Sequence, residues 1–250
     1  MKIVLVTGAS SGFGEAICQK LVADGFKVIG TARRFDKLKQ LQQTLGDAFL
    51  PIQLDVTDKS AIDHLNQLIP DNFKPIDVLI NNAGLALGLE PAYAADFSDW
   101  EMMVNTNVMG LIYLTRQVLP EMVTRNSGYI INIGSIAGTY AYKGGNVYGA
   151  TKAFVRQFSL NLRTDLAGKA VRVTNLEPGL CGGTEFSNVR FHGDNDKASS
   201  VYQDINYITP QDIANTISWL LSMPAHFNVN TMEMMPVAQT PAGLSVAKHV

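Results

Sequence analysis

Short apolar runs without alternation recur along the chain, and each leads through a turn into a stretch with helical spacing. Residues 3–6, Ile-Val-Leu-Val, form the first run, the pattern of a strand covered on both faces in a parallel sheet. Residues 15–23 then place Ala16, Ile17 and Leu21 on one helical side, and Asp24-Gly25 offers a glycine suited to close that helix. The same alternation predicts strands at 27–31, 49–54, 76–80, 129–133, 171–176 and 228–234. Helices are predicted from about 36 to 45, up to 69 after a cap by Thr57 or Asp58, along 97–125, and at 211–222 with Pro210 near the start. The sixth strand alternates in part between apolar and polar positions. Residues from about 180 to 207 show little periodicity, which fits a loop and lid over a site better than core. No internal repeat, low-complexity segment or linker interrupts the pattern, so the prediction is one α/β domain.

Composition narrows the possibilities. A chain of 250 residues with 46% hydrophobic and 17% charged residues suits one well-buried domain better than two small ones. The formal charge of −2, with no run of lysine and arginine, excludes a nucleic-acid face. Cys18 and Cys181 are too few for a disulfide framework, and His64, His192, His226 and His249 form no ligand-spaced pair, so no metal is expected. Met1-Lys2 leads into an apolar strand of about five residues, too short for a signal segment or a membrane span, and the expected setting is the cytoplasm, without membrane contact.

The candidate chemistry sits at the ends of the predicted strands. Thr7-Gly8-Ala9-Ser10-Ser11-Gly12-Phe13-Gly14 joins strand to helix, where free N–H groups can cradle a phosphate and glycines let backbone approach it. The spacing is Gly-x3-Gly-x-Gly and not the Gly-x-Gly-x2-Gly of the dinucleotide fingerprint, and the plainer alternative is an ordinary strand-to-helix turn. After the second strand, an acidic residue would bind the ribose 2′-hydroxyl of NAD. Arg33 and Arg34 stand there instead, as the 2′-phosphate of NADP requires, the alternative being a solvated basic pair. Asp55-Val56 ends the third strand, where it could meet an adenine edge or start a helix. Asn81-Asn82-Ala83-Gly84 ends the fourth and can tie neighbouring loops together while leaving room for a ribose, or be a plain turn.

Three further positions could carry a reaction. Asn107 is a locally unfavourable residue in mid-helix, a mark of a kink or a functional polar group, and Gly134-Ser135 ends the fifth strand where the crevice should open. Tyr148 and Lys152 are four residues apart, one turn on the same helical face. Bringing a tyrosine from a pKa near 10 to neutrality takes about three units, roughly 4 kcal/mol, which a neighbouring ammonium in a partly dry cleft can supply. That pairing predicts a phenolate able to move a proton, although the spacing alone could arise by coincidence.

The set Thr7-Gly8-x3-Gly12-x-Gly14, Asn81-Asn82-Ala83-Gly84, Asn107, Ser135, Tyr148-x3-Lys152 and Pro178-Gly179 resembles the short-chain dehydrogenase/reductase family, in register over nearly the whole chain. Residues 145–158 and 177–186 are similar to its bacterial NADP-dependent 3-hydroxy acid dehydrogenases, which act on L-allo-threonine or serine or reduce malonic semialdehyde. The resemblance implies a single-domain doubly wound (Rossmann) sheet of seven strands, order 3-2-1-4-5-6-7, spanning residues 1–250. It implies NADP as cofactor, with Tyr148 as general base, Lys152 holding the phenolate and the nicotinamide ribose, Ser135 bonding the substrate oxygen, and Asn107 anchoring a water behind Lys152. Cofactor contacts would extend to Pro178, Gly179, Leu180, Gly183, Thr184 and Phe186. The two long helices, the residues from 236 to 250 and the methionine-rich stretch 232–235 would build a homotetramer.

A 3-hydroxy acid brings a carboxylate that needs a cation, and Arg190 or Lys143 could supply it; arginine is expected because its fork matches a carboxylate, against the view that both are surface charges. A reductase of acyl-carrier-protein thioesters or polyols would share every motif, and an NADP-binding sensor without catalysis would not need serine, tyrosine and lysine together.

Overall fold

The computed structural model describes residues 1–241. Its centre is β1 (Ile3–Thr7), whose five residues are all buried, as an unalternating apolar run demands. It pairs in parallel with β2 (Lys27–Ala32) on one side and β4 (Val78–Asn81) on the other. With β3 (Phe49–Gln53), β5 (Gly128–Ile133), β6 (Val171–Pro178) and β7 (Thr231–Met234) the sheet has seven parallel strands in the expected order 3-2-1-4-5-6-7. Strand order reverses between β1 and β4, so the crevice for a ligand opens at their carboxyl ends.

Helices cover both faces. The helices α1 (Gly12–Ala23) and α2 (Phe35–Leu45) bury Ile17, Leu21, Leu38 and Leu41 against Val4, Val6 and Val28 of the sheet. On the opposite face α3 (Lys59–Leu68), capped by the Asp58 carboxylate accepting from the Ala61 N–H at 3.0 Å, packs Ile62 and Leu65 near Leu5 and Leu79. The helical stretch predicted at 97–125 is α4 (Phe97–Val104) and α5 (Leu111–Arg125) joined by a π-helical turn, Asn105–Gly110, so the mid-helix asparagine does mark an irregularity. The long helix α6 (Asn146–Asp165) adds Leu162 to the same core.

Three sequence expectations needed revision. The partly alternating sixth strand is buried at all eight positions, because its polar groups find partners: Arg172 lies 3.9 Å over the Tyr129 ring, Thr174 shares a hydrogen bond with the Tyr129 hydroxyl, and Glu177 meets Arg156. Residues 180–207 contain two short helices, α7 (Phe186–Arg190) and α8 (Asn195–Ser200), each too short to leave a periodic signal. The seventh strand begins at Thr231, since Asn228 uses its side chain, and not a strand ladder, to bond the Val173 N–H and carbonyl. The last helix, α9 (Pro210–Ser222), starts at its proline with a capping box between Thr209 and Asp212. Among the described residues no helix is long and apolar enough to cross a membrane, and no group of side chains could hold a metal ion. The tail expected to join subunits lies outside the described residues from position 242 onward.

Candidate functional site

A cavity of about 810 Å³ opens along the carboxyl ends of the strands. At one end the glycine turn runs from β1 into α1. A Cβ on Gly14 would lie 2.2 Å from the Gly8 carbonyl, so only glycine lets helix and strand approach this closely. Thr7 holds the turn to the fourth strand: its hydroxyl accepts from the main-chain N–H groups of Asn82 (3.0 Å) and Ala83 (2.9 Å), and the Asn82 amide donates back to the Thr7 carbonyl at 2.8 Å. The asparagine pair thus ties adjacent loops, as its donor and acceptor chemistry suggested. Gly84 leaves open the space above the reacting groups, for a Cβ there would sit 3.2 Å from Asn107 Oδ1 and 3.5 Å from Lys152 Nζ.

Of the four expected catalytic residues, Ser135, Tyr148 and Lys152 line the middle of the cavity wall and Asn107 lies behind it. Tyr148 is buried in α6, edge-on to Phe186, with Arg190 at 5.6 Å from its ring centre. Burial raises its hydroxyl well above the usual tyrosine value, the Ser135 hydrogen bond and the Arg190 charge opposing this, and the protein alone therefore keeps a neutral phenol. Lys152 does lie on the same face, but its Nζ is 5.8 Å from the ring centre and donates to the Ile133 carbonyl at 2.8 Å. Burial in turn lowers Lys152 to about 8. Ser135 Oγ accepts from the Ala137 N–H at 3.1 Å, which leaves its O–H to point elsewhere; its contact with the Pro178 carbonyl is a long 3.5 Å. Asn107 stands behind this wall with both its amide N–H groups engaged, exchanging two bonds with the Leu85 main chain (2.9 and 2.8 Å) and donating to Thr151 at 3.1 Å. A water behind Lys152 would therefore meet the Asn107 main chain or the remaining lone pair of its Oδ1.

Of the expected cofactor residues, Gly8, Ser10, Ser11, Gly12, Phe13, Arg33, Arg34, Asp55, Val56, Asn82, Ala83, Gly84, Pro178, Gly179, Leu180, Thr184 and Phe186 line the cavity. Thr7, Gly14, Asn107 and Gly183 do not reach it and shape it from behind. Asp55 is not the helix cap; one carboxylate oxygen holds Thr57 through its N–H (2.9 Å) and hydroxyl (2.8 Å). The two arginines differ. The Arg33 side chain makes no hydrogen bond among the described residues, its main-chain carbonyl accepting from the Gln53 amide at 3.1 Å, whereas the Arg34 side chain bonds Ser10, Ser11 and the carboxylate of Glu185. Glycine turn, helix N-terminus, ribose-sized gap and paired arginines together fit a dinucleotide bearing a 2′-phosphate.

Arg190 lines the cavity from α7, exchanging main-chain and side-chain bonds with Gly88 and donating to the Tyr142 hydroxyl at 2.8 Å. Lys143 also borders the cavity but is exposed and makes no hydrogen bond among the described residues. Sequence reasoning missed Tyr142, Glu185, Tyr202 and Gln239, all on the cavity wall. Tyr142 and Glu185 each adjoin a residue already singled out, but their partners Arg190 and Arg34 are distant in sequence. Gln239 accepts from the Leu180 N–H at 2.7 Å and comes from a tail with no periodic signal at all.

The chain is 60% identical over 244 residues to the NADP-dependent 3-hydroxy acid dehydrogenase of Salmonella typhi, covering 98% of each chain. It is 51% identical over 246 residues to the serine 3-dehydrogenase of Rhizobium radiobacter, again covering 98% of each. The fold superposes with a TM-score of 0.97 on a serine dehydrogenase in its closed form complexed with NADP+, at 58% identity and covering 99% of this chain and 100% of that one. Residues 2–195 match the short chain dehydrogenase family, and the chain belongs to that family.

Proposed function

We propose that this chain is an NADP-dependent oxidoreductase that interconverts 3-hydroxy acids, of the serine, L-allo-threonine and 3-hydroxypropionate type, with the corresponding 3-oxo acids or semialdehydes. The observation that carries the reading is Arg190: a guanidinium 5.6 Å from the Tyr148 ring puts a carboxylate partner beside the proton-transferring phenol. The activities of the two relatives support the same substrate class.

In oxidation Tyr148 takes the proton of the substrate hydroxyl, and in reduction, for which its buried neutral phenol is the ready form, it gives that proton to the carbonyl oxygen. NADP, when bound, exchanges the hydride with the carbon bearing that oxygen. Ser135 directs its O–H at the substrate oxygen and so shares the charge that develops there. Lys152 steadies the tyrosine when it loses its proton and reaches the nicotinamide ribose from the same wall. Arg190 fixes the carboxylate, with Tyr142 holding one of its nitrogens in place. Phe186, Tyr202 and the rest of the lid restrict water around these groups.

NADP reduction with serine, allo-threonine, 3-hydroxypropionate and 3-hydroxybutyrate, against a simple secondary alcohol, tests this. Acids should be turned over with kcat/KM well above the alcohol, and an alcohol equal to the acids would turn the reading toward a general carbonyl reductase. A homotetramer is part of the same proposal, supported by the exposed apolar side chains Met102 and Val104 on α4 and the stacked pair Phe154 and Phe158 on α6. Sedimentation at micromolar concentration distinguishes tetramer from monomer. Two free thiols, Cys18 and Cys181, suit the cytoplasmic setting inferred with it, which cell fractionation checks.

A further inference from the structure

At the root of the lid, Glu185 meets Arg34 in a two-pronged pair: Nη1 donates to Oε1 at 3.1 Å and Nη2 to Oε2 at 2.7 Å. The same guanidinium donates to Ser11 Oγ at 2.7 Å and Ser10 Oγ at 3.3 Å, both on the glycine turn. Thr184, the preceding residue, packs over that turn so closely that a Cβ on Gly12 would lie 3.1 Å from its Cγ2. Lid root and glycine turn are therefore clasped together at the end of the cavity where the 2′-phosphate would arrive.

A guanidinium matches a carboxylate and a phosphate in the same way; here its Nη1–Nη2 edge is taken by Glu185 and its Nε–Nη2 edge faces Ser10, so a phosphate that claims the first edge must displace the carboxylate. In this structure the partner comes from the chain itself. The pair is also easy to part, because both side chains are about half exposed, at 45% and 53%. We propose that Glu185 is a specificity-determining residue for the cofactor, an internal anion that holds Arg34 and must yield it to the 2′-phosphate. Glu185 thus tempers NADP affinity and joins phosphate recognition to the freedom of the lid. An adenosine with a plain 2′-hydroxyl has no anion at that position, so it leaves the clasp alone. Arg33, which has no such partner, gives the phosphate its first contact.

The experiment is calorimetric titration of the full chain with adenosine 2′,5′-bisphosphate and with 5′-AMP, comparing wild type with Glu185→Gln. Glutamine keeps the size and one hydrogen-bonding oxygen, and removes the charge together with one of the two acceptor prongs. The bisphosphate should bind the variant about fivefold more tightly, the scale of one exposed ion pair, while 5′-AMP changes by less than about twofold. In an Arg34→Met background the gain from Glu185→Gln should vanish. Unchanged or weaker bisphosphate binding in Glu185→Gln overturns the proposal, and so does an equal gain in the Arg34→Met background, which would make Glu185 a general field charge. Equal affinity of wild type for the two probes removes the phosphate site itself, a failure separate from that of the competition.

Discussion

Lys152 lies with its Nζ 5.8 Å from the centre of the Tyr148 ring and donates its hydrogen bond away from it, to the Ile133 carbonyl at 2.8 Å. The four-residue spacing puts both groups on one helical face, yet burial dominates the electrostatics of each, raising the phenol and lowering the ammonium to about 8. Each buried group is thus pushed toward its neutral form, and the groups that favour the ionised phenol are the Ser135 hydroxyl and the Arg190 charge.

Replacing Tyr148 by phenylalanine removes one hydroxyl and almost no packing. Loss of a general acid-base group costs about 10² to 10⁴ in rate, so Tyr148→Phe should lose at least about 100-fold in kcat while still binding NADP. Steady-state rates with serine, paired with a cofactor titration, check this, and activity within tenfold of wild type would remove Tyr148 from the mechanism. Lys152→Ala should lose both rate and cofactor affinity, because one ammonium faces both.

The lowered pKa of Lys152 also predicts how stability changes with pH. Its folded value, about 8, lies below the ordinary lysine value of 10.5, so the unfolded chain holds the proton more tightly and the wild type carries a penalty at neutral pH. That penalty is full below pH 8 and is relieved as pH rises toward 10.5. Lys152→Met has no such dependence. In urea unfolding of the cofactor-free protein, wild type should gain on Lys152→Met by about 1 kcal/mol from pH 7 to 9, and by about 3 kcal/mol over the whole window. A constant difference between the two proteins would show that burial does not depress this lysine.

How much of this was legible follows from which residues act locally. The glycine turn, the asparagine pair and the spacing of Tyr148 and Lys152 are set within a few residues, and the structure brings them together at the strand ends as the spacing implied. Asn107 announced itself by being wrong for a helix and proved to sit in a π-helical turn. What could not be read was which distant groups would meet. Nothing in the sequence pairs Arg34 with Glu185, 151 positions away, or Arg190 with Tyr142. Nor does spacing report burial: an ammonium one turn away favours the phenolate, while the loss of water around both groups opposes it.

Arg33→Ala with Arg34→Ala should lower NADP affinity much more than NAD affinity, since only NADP carries a 2′-phosphate. Each charge-assisted contact is worth about 1.5 to 3 kcal/mol, so the preference should fall tenfold or more. The single variants separate two roles. Arg33→Ala removes a side chain with no hydrogen bond among the described residues, whereas Arg34→Ala also releases Ser10, Ser11 and Glu185 and should loosen the lid. Dissociation constants for both cofactors decide the matter, and equal losses for NAD and NADP would count against a phosphate site here.

The remaining prediction concerns the substrate carboxylate. A 3-hydroxy acid needs a cation near the reacting carbon, and two candidates border the cavity. Lys143 is an exposed residue whose ammonium must be desolvated before it helps, while Arg190 is already fixed by Gly88 and by the Tyr142 hydroxyl at 2.8 Å, with its charge 5.6 Å from the Tyr148 ring. A pre-fixed fork loses less freedom on binding and matches the carboxylate geometry. Arg190→Met should therefore raise KM for serine and 3-hydroxypropionate by tenfold or more, about 1.4 kcal/mol or greater, and leave an uncharged secondary alcohol nearly unaffected. Lys143→Met should change neither by more than about twofold, the scale of an exposed charge. Tyr142→Phe should fall between, with a smaller rise confined to the acids, because it frees the fork without removing it. If Arg190→Met raises KM equally for charged and uncharged substrates, the residue shapes the lid through Gly88 and does not read the carboxylate, and the choice of 3-hydroxy acids must come from elsewhere in the cavity.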